Sequence, residues 1–182
     1  MIDIKIDLEE DGVIEGTLPE NWDEVKVKDY EKIFEVDIAE LSAVYQYLHI
    51  LSSLTGIDKE IILQLPLDEF KNLISKVEFI NSEVPKDECE FVEINGEKYY
   101  MYNNYSSFNA GEIISIDTIL TQNKNNFNKC LSDLLCVFLR KKKDNGKYEK
   151  FSTLFFERKS EFQTLPLKQV YHLLTFFLSG RK

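Results

Sequence analysis

An Asn-Gly pair at positions 95 and 96 constrains the fold of this 182-residue chain more than any other sequence feature. It separates two runs rich in strand-forming residues, 91–94 (FVEI) and 97–102 (EKYYMY). Asn-Gly between such runs favours a type I′ turn, because that turn needs positive φ at both central residues. The sequence therefore predicts a β-hairpin in the middle of the chain.

A second hairpin is predicted at the N-terminus. Over residues 2–8 (IDIKIDL), apolar side chains alternate with charged ones, which places the apolar set on one face of a strand. Residues 10–12 (EDG) have the composition of a turn, and residues 13–18 (VIEGTL) can return as the partner strand. Pro19 ends the hairpin, because proline has no N–H to donate to a ladder.

Between the two hairpins the hydrophobic period changes to that of helices. Apolar residues at helical spacing predict one helix over 38–54 that Gly56 ends, and a second helix that begins at Asp58 and that Pro66 closes. A third helix is predicted over 67–80. Three helices joined by short connections are typical of a local helical unit.

After the central hairpin the same spacing predicts helices over 112–121, 127–143 and 167–177. The basic residues 140–143 would occupy the last turn of the second of these, where positive charge suits the helix dipole. The predicted fold class is therefore α+β, mainly helical, with an N-terminal β-hairpin and a central Asn-Gly β-hairpin.

The length of the chain predicts a single domain over 1–182. A content of 43% hydrophobic and 13% aromatic residues is enough to build one compact core. A subdivision is the other option, with the N-terminal hairpin and its helices in 1–80 and the central hairpin and the C-terminal helices in 90–182.

Charge is distributed unevenly along the chain. Residues 1–123 hold 27 acidic and 9 basic residues, a net charge of −18, whereas residues 124–182 hold 5 acidic and 13 basic residues, a net charge of +8. Such asymmetry indicates electrostatic contact with nucleic acid or with another protein surface. The two parts can also neutralise each other within one fold, and the sequence leaves both interpretations open.

Aromatic and basic residues supply the candidate contact sites. Trp22 is the only tryptophan, and its ring is interpreted either as packing over the core or as an interface anchor. Tyrosines crowd one edge of the central hairpin, and a basic run follows at 140–143 and can contact phosphates or an acidic neighbour. The net charge of −10 argues against general nucleic-acid binding. The candidate interface residues are Trp22, Tyr99, Tyr100, Tyr102, Tyr105, Arg140, Lys141, Lys142 and Lys143.

Catalytic and metal-binding motifs are missing from the sequence. His49 and His172 lie inside predicted helices and are interpreted as structural, and no glycine-rich phosphate loop or paired Cys-x-x-Cys occurs. The odd number of cysteines argues for a reducing compartment. The sequence predicts no enzyme activity, no cofactor, no metal, and neither a signal peptide nor a membrane span.

Three segments taken in order resemble a known group of proteins. They are 18–34 (LPENWDEVKVKDYEKIF), 50–80 (ILSSLTGIDKEIILQLPLDEFKNLISKVEFI) and 92–102 (VEINGEKYYMY). This order resembles small proteins encoded beside the tail and neck genes of tailed bacteriophages, including the crAss-like phages. The resemblance covers residues 18–102. Residues 106–112 depart from it, since a Thr-x-Gly-Gln-like segment is expected there.

The resemblance implies a role in phage assembly and no active site. One implied role is a virion protein of the tail or neck, repeated around the tail axis and assembled in the host bacterial cytoplasm. The other is a tail assembly chaperone that is absent from the mature particle. The charge asymmetry favours the first, because a head-to-tail ring would bring the acidic part of one copy against the basic part of the next. Neighbouring tail or portal proteins are the other expected partners.

A third interpretation belongs to a different class of protein. The acidic part could serve a regulator or a small enzyme inhibitor as a decoy for a basic surface on its target. Such a protein would bind at low salt and release at high salt, because ions screen exposed charges.

Overall fold

We describe the fold from a computed structural model, in which residues 1–7, 12–85, 87, 89–102 and 105–179 are placed. Two small antiparallel sheets are combined with helices, which confirms the predicted α+β class and its mainly helical content. The strands are β1 Ile2–Asp7, β2 Val13–Leu18, β3 Phe91–Ile94, β4 Glu97–Met101 and β5 Leu139–Arg140. The helices are α1 Val27–Ile33, α2 Ala43–Thr55, α3 Lys59–Ile62, α4 Leu67–Val77, α5 Ala110–Gln122, α6 Leu131–Phe138, α7 Lys159–Phe162 and α8 Leu167–Ser179. Short 3₁₀-helices lie at Ile38–Glu40, Glu78–Asn81, Tyr105–Ser107, Phe127–Lys129 and Thr153–Arg158.

The predicted N-terminal hairpin is confirmed in its strands. β1 and β2 are antiparallel, with Ile6 opposite Ile14. Gly16 in β2 lets the hairpin approach the loop after α2, since a Cβ added there would lie 2.9 Å from Ile57 Cδ1. Leu8 and most of the predicted turn at 10–12 lie outside the described residues.

The helix predicted over 38–54 begins later than predicted, at Ala43. The chain forms the 3₁₀-helix Ile38–Glu40 first, and Leu41 and Ser42 are then extended before α2 begins. The Leu41 carbonyl accepts a hydrogen bond from Gln46 Nε2, which stabilises this break. Gly56 ends α2 in the left-handed conformation, as predicted, with φ of 74°.

The predicted Asn-Gly hairpin is confirmed, and a third strand extends its sheet. Asn95 and Gly96 both have positive φ, 52° and 79°, as a type I′ turn requires. β5 pairs with β4, so that Arg140 lies opposite Tyr100. The helix predicted over 127–143 is wrong, because α6 ends at Phe138 and the next residue is extended.

A tertiary hydrogen bond accounts for the early end of α6. The Phe138 carbonyl accepts from the N–H of Tyr102, the residue after β4, at 2.8 Å, and in a longer helix the same carbonyl would have accepted from a later residue of the helix. The basic run therefore begins in a strand and continues into the loop that follows. The prediction that residues 140–143 form the last turn of a helix is corrected accordingly.

α6 lies at the centre of the molecule. Seven of its eight residues are buried, and it packs against α1, α5, α7 and α8. A helix that is apolar on all sides is typical of such a position. The buried apolar side chains form one cluster that extends from Ile4 to Leu174 and so includes residues of both 1–80 and 90–182.

Glu31 connects α1 to the start of this central helix. Its carboxylate accepts hydrogen bonds from the Ser132 N–H at 2.7 Å and from Ser132 Oγ at 2.8 Å. The first N–H groups of a helix have no partner within the helix, so a buried carboxylate placed there satisfies them. Gln163 Nε2 donates to the same carboxylate at 3.3 Å.

Candidate functional site at the edge of the central sheet

Pairing of β4 with β5 brings together two of the candidate groups found in the sequence. Tyr100 lies opposite Arg140 in the ladder, so the tyrosines and the basic run occupy adjacent strands. Side chains directly opposite each other in an antiparallel pair lie on the same face. Since residues two apart on a strand also share a face, Tyr102 and Lys142 extend the same surface.

The exposed part of this surface is a row of cations and aromatic rings. Lys142 Nζ lies 4.0 Å from the ring centroid of Tyr100 and 5.5 Å from that of Tyr148. The Tyr148 ring is in turn 5.1 Å from the Tyr102 ring. Each ammonium placed over a ring face is attracted by the ring quadrupole, which holds the row together.

Arg140 lies beneath this row and is fully buried. Its Nη2 donates to Glu112 Oε1 at 2.7 Å, while its guanidinium carbon lies 5.6 Å, 5.0 Å and 4.9 Å from the rings of Tyr102, Phe151 and Phe155. Among the described residues, Nε and Nη1 of Arg140 have no hydrogen-bond partner. Burial lowers the pKa of Arg140, and the carboxylates of Glu112 and Glu149 oppose that change.

Glu112 ties Arg140 to the start of α5. Its Oε2 accepts from the Asn109 N–H at 2.6 Å, and Asn109 Oδ1 accepts from the Glu112 N–H at 3.1 Å. This reciprocal pair is a capping box, which satisfies two donors at the end of the helix. The same carboxylate thus caps α5 and neutralises the buried guanidinium.

A second ion pair lies beside the first. Arg158 donates to both carboxylate oxygens of Glu149, at 2.5 Å and 3.1 Å, and the Lys141 N–H donates to Glu149 at 3.0 Å. Burial raises the pKa of Glu149, but these hydrogen bonds outweigh burial and hold the pKa below its usual value. Glu149 is therefore a carboxylate whose charge is already matched by an arginine.

A pocket of about 490 Å³ opens between these groups, and we call it the Tyr102 pocket. Aromatic rings, two lysines and several hydrogen-bonding groups face it. Its lining residues are Tyr102, Ser107, Asn109, Glu112, Lys147, Tyr148, Glu149, Lys150 and Phe151.

The loop 144–150 that builds one wall of the pocket was not identified as functional from the sequence. It folds back on the basic run, since the Lys143 N–H donates to the Lys147 carbonyl at 2.8 Å and the Glu149 N–H donates to the Lys141 carbonyl at 3.0 Å. Glu112 was missed as well. The turn signal at 144–146 (DNG) was the available clue that 147–150 would return beside 141–143.

The candidate interface residues differ in their exposure. Trp22 is 5% exposed, its Nε1 donates to Ser82 Oγ at 3.1 Å, and its ring packs on Phe79. Tyr99 is buried against Phe162 at 5.3 Å between ring centroids. Together with Arg140, these side chains belong to the core in this conformation and offer little surface to a partner.

The other candidate residues remain closer to the surface. Tyr100, Tyr102 and Lys141 are partly buried, and Lys142 and Lys143 are exposed. Lys141 Nζ lies 3.4 Å from Glu97 Oε2, and Lys142 Nζ lies 3.9 Å from Glu90 Oε1. Tyr105 begins the 3₁₀-helix Tyr105–Ser107, and its side chain lies outside the described part of the chain.

The surroundings of the histidines and of the buried cysteines indicate structural roles for these side chains. His49 Nε2 lies 3.0 Å from the Ile33 carbonyl, and His172 Nε2 lies 2.7 Å from the Val84 carbonyl. Burial raises the pKa of Cys130 and of Cys136 to about 12, which disfavours a reactive thiolate. Within the described ranges, no group of three or more metal-binding side chains occurs. Among the same residues, no helix is long and apolar enough to cross a bilayer.

Ion pairs within the fold join the acidic part of the chain to the basic part. Besides Glu112 with Arg140, Lys168 Nζ lies 2.9 Å from Asp23 Oδ1 and 3.9 Å from Asp87 Oδ2. The charge asymmetry seen in the sequence is therefore neutralised in part inside one subunit. The charged side chains that do not pair in this way can contact a partner at the surface.

Exposed apolar side chains form a separate feature, which we call the α5 patch. Ile113 and Ile114 on α5 are 45% and 64% exposed, and Leu154 is 65% exposed. Phe151 and Phe156, on either side of Leu154 in the chain, both lie against α5: a Cβ added at Gly111 would be 3.5 Å from Phe151, and Phe156 and Ile114 line one shallow pocket. The segment 151–156 therefore lies beside α5, and the α5 patch consists of Ile113 and Ile114 with the neighbouring Phe156.

No protein-family model, curated protein or solved structure matches this chain.

Proposed function

We propose that the protein is a non-enzymatic structural subunit of a tailed-phage virion, located in the tail or neck region and repeated around the tail axis. The order of the sequence motifs over residues 18–102 supports the phage context. The observation that carries the assembly role is the α5 patch. Large apolar side chains exposed together on a soluble protein mark a surface that another protein covers.

The surroundings of the α5 patch favour a protein contact over a solvated surface. Ser115, Thr118 and Gln122 line the shallow pocket next to Ile114, and the charged residues of that pocket, Asp133 and Lys159, pair with each other at 2.9 Å. An apolar centre with a neutral polar rim is the usual composition of an interface. A second copy of the chain is the proposed occupant.

Surface charge supports a head-to-tail arrangement of copies. Asp68 and Glu69 are exposed in the first turn of α4, and Lys143 is exposed in the loop after β5. Among the described residues, none of these three side chains has an ion pair. Acidic and basic groups on different elements can meet between copies, and such a heterologous contact closes into a ring when the rotation permits.

Purified phage particles provide the test of this function. Mass spectrometry of gradient-purified particles and of the infected lysate is expected to detect the chain in both, at a ratio to the other tail proteins that is constant between preparations. A chain that is present in the lysate and missing from the particles would contradict the virion role and would instead indicate a tail assembly chaperone.

A pair of variants ties the result to the α5 patch. Ile113→Ser with Ile114→Ser is expected to reduce incorporation into particles, because it removes the exposed apolar contact. Val44→Ser with Tyr45→Ser is the matched control, since these side chains are also consecutive on one helix, α2, and exposed, at 60% and 58%. Equal incorporation of the two double variants would contradict a contact through the α5 patch.

A further inference from the structure

The Tyr102 pocket is not used by the assembly contact proposed above. The rings of Tyr102, Tyr148 and Phe151 line it, and polar atoms of Ser107 and Asn109 lie among them. Its volume of about 490 Å³ falls within the range of small-molecule sites in proteins. Apolar walls with a few placed polar groups are typical of such sites.

The charges of the Tyr102 pocket leave an excess of two cations. Glu112 and Glu149 line the pocket, but each is engaged by its own arginine, Arg140 or Arg158. The other charged lining residues are Lys147 and Lys150, which are exposed and have no ion pair within the described part of the chain. A negatively charged group entering the pocket would meet these two ammonium groups.

Arg140 lies behind the wall of the pocket, where Glu112 balances its charge. Its guanidinium lies between the rings of Tyr102 and Phe151, both of which line the pocket, and next to Glu112, which also lines it. Among the described residues, its Nε and Nη1 are without a hydrogen-bond partner, although the side chain is fully buried. Buried donors of this kind are rare in proteins, and this guanidinium is packed against the rings of Tyr102 and Phe151, which it holds in place at the wall.

We propose that the Tyr102 pocket binds a nucleoside phosphate. The base would lie against the rings of Tyr148 and Phe151, and the phosphate would bind the ammonium groups of Lys147 and Lys150. A planar ring that stacks on aromatic side chains, joined to an anion, matches the two properties of the lining. An inorganic anion would leave the aromatic walls unused, and an apolar ligand would leave the lysines unused.

Two sources offer this chemistry, a free nucleotide and a nucleotide unit of a single-stranded nucleic acid. Aromatic and cationic groups continue beyond the pocket, through Lys142 and Tyr100 to Phe91 and Lys98, whose Nζ lies 4.3 Å from the Phe91 ring centroid. A strand could follow this row. The net charge of −10 opposes a long polyanion and favours the free nucleotide.

Isothermal titration calorimetry on the full chain tests the proposal. The probes are adenosine 5′-monophosphate, inorganic phosphate, adenosine and a short oligothymidylate. Saturable binding of the monophosphate is expected, with inorganic phosphate and adenosine each weaker by about tenfold or more, since each lacks one of the two interactions. Lys147→Ala with Lys150→Ala is expected to weaken the monophosphate by about tenfold or more. Lys71→Ala with Lys76→Ala, exposed lysines of α4, is the control and should bind as the wild type does.

The oligonucleotide separates the two sources. Tighter binding of the oligothymidylate, with a steep loss at higher salt, would identify a single strand as the ligand. Tighter binding of the monophosphate would identify a free nucleotide. The proposal is overturned if neither binds, if inorganic phosphate binds as tightly as the monophosphate, or if the Lys147 and Lys150 variant keeps wild-type affinity. None of these results depends on whether the chain assembles with itself.

Discussion

At the scale of single residues, Arg140 and Glu112 are the pair with the largest expected effect on stability. Their side chains are 1% and 4% exposed, and they meet at 2.7 Å. Breaking a buried ion pair on one side leaves an uncompensated charge in a medium that solvates it poorly. Arg140→Met is therefore expected to lower the free energy of unfolding by about 3–5 kcal/mol, measured by urea denaturation with circular dichroism.

The double variant Arg140→Met with Glu112→Gln is the control for that measurement. It removes both charges, while the Gln side chain can still take part in the capping box with Asn109. We expect the double variant to be more stable than Arg140→Met alone. A loss below about 1 kcal/mol for the single variant would show that the Glu112 charge finds water or another partner.

Glu31 gives the stability of the protein a dependence on pH, because its carboxyl group is buried. Burial raises the pKa of Glu31 above the usual 4.5, although hydrogen bonds from Ser132 and Gln163 lower it in part. A carboxyl with a raised pKa in the folded state favours folding most when it is protonated. Its contribution is therefore present below pH 4.5 and is lost as pH rises through the folded-state pKa.

Glu31→Gln imitates the protonated carboxyl at every pH. The stability of this variant relative to the wild type is expected to increase as pH rises from about 4 to about 7. Urea midpoints of the two proteins, measured side by side across that range, provide the test. If the wild type gained on the variant instead, the hydrogen bonds from Ser132 would outweigh burial and the pKa of Glu31 would be lowered.

The buried contacts of Glu31 and of Arg140 could not be predicted from the sequence. Glu31 and Ser132 are 101 residues apart, and no pattern in the sequence pairs them. Arg140 was a candidate interface residue because it belongs to a basic run, yet among the described residues it is the member of that run whose side chain pairs with a buried carboxylate. Sequence shows the type of a charged residue, but its burial depends on contacts between distant segments.

At the scale of elements, the central hairpin depends on its turn. Gly96 has φ of 79°, where an alanine side chain is strained. Gly96→Ala is expected to lower the free energy of unfolding by about 1 kcal/mol or somewhat more. Asn95→Gly is the control, since Gly accepts positive φ, and it should stay within about 0.5 kcal/mol of the wild type. Equal urea midpoints for Gly96→Ala and the wild type would contradict a type I′ turn at this position.

Elements with local signals were predicted correctly, and those held by distant contacts were not. The N-terminal hairpin follows from alternation, the central hairpin from Asn-Gly between strand-forming residues, and α4 from its helical spacing after Pro66. β5 has only two residues and exists because it pairs with β4. The same pairing ends α6 at Phe138, so the helical pattern of 127–138 did not reveal where the helix would stop.

At the scale of the whole molecule, charge separation alone is a weaker argument for assembly than the sequence suggested. Ion pairs such as Glu112 with Arg140 and Asp23 with Lys168 neutralise part of it within one subunit. The α5 patch, which the sequence analysis did not identify, supplies an apolar contribution that salt does not weaken. Salt should therefore weaken assembly through charge and leave assembly through the α5 patch intact.

Light scattering of the purified chain at low and at high salt separates these contributions. If the α5 patch dominates, a discrete oligomer persists at high salt and Ile113→Ser with Ile114→Ser converts it to a monomer. If charge dominates, the oligomer dissociates as salt rises, and Asp68→Asn with Glu69→Gln weakens it at low salt. Val44→Ser with Tyr45→Ser is again the control, because it changes exposed hydrophobic residues outside both the α5 patch and the acidic first turn of α4. A monomer under both conditions would contradict self-assembly of the isolated chain, and a ring would then need a preformed portal or tail surface on which to build.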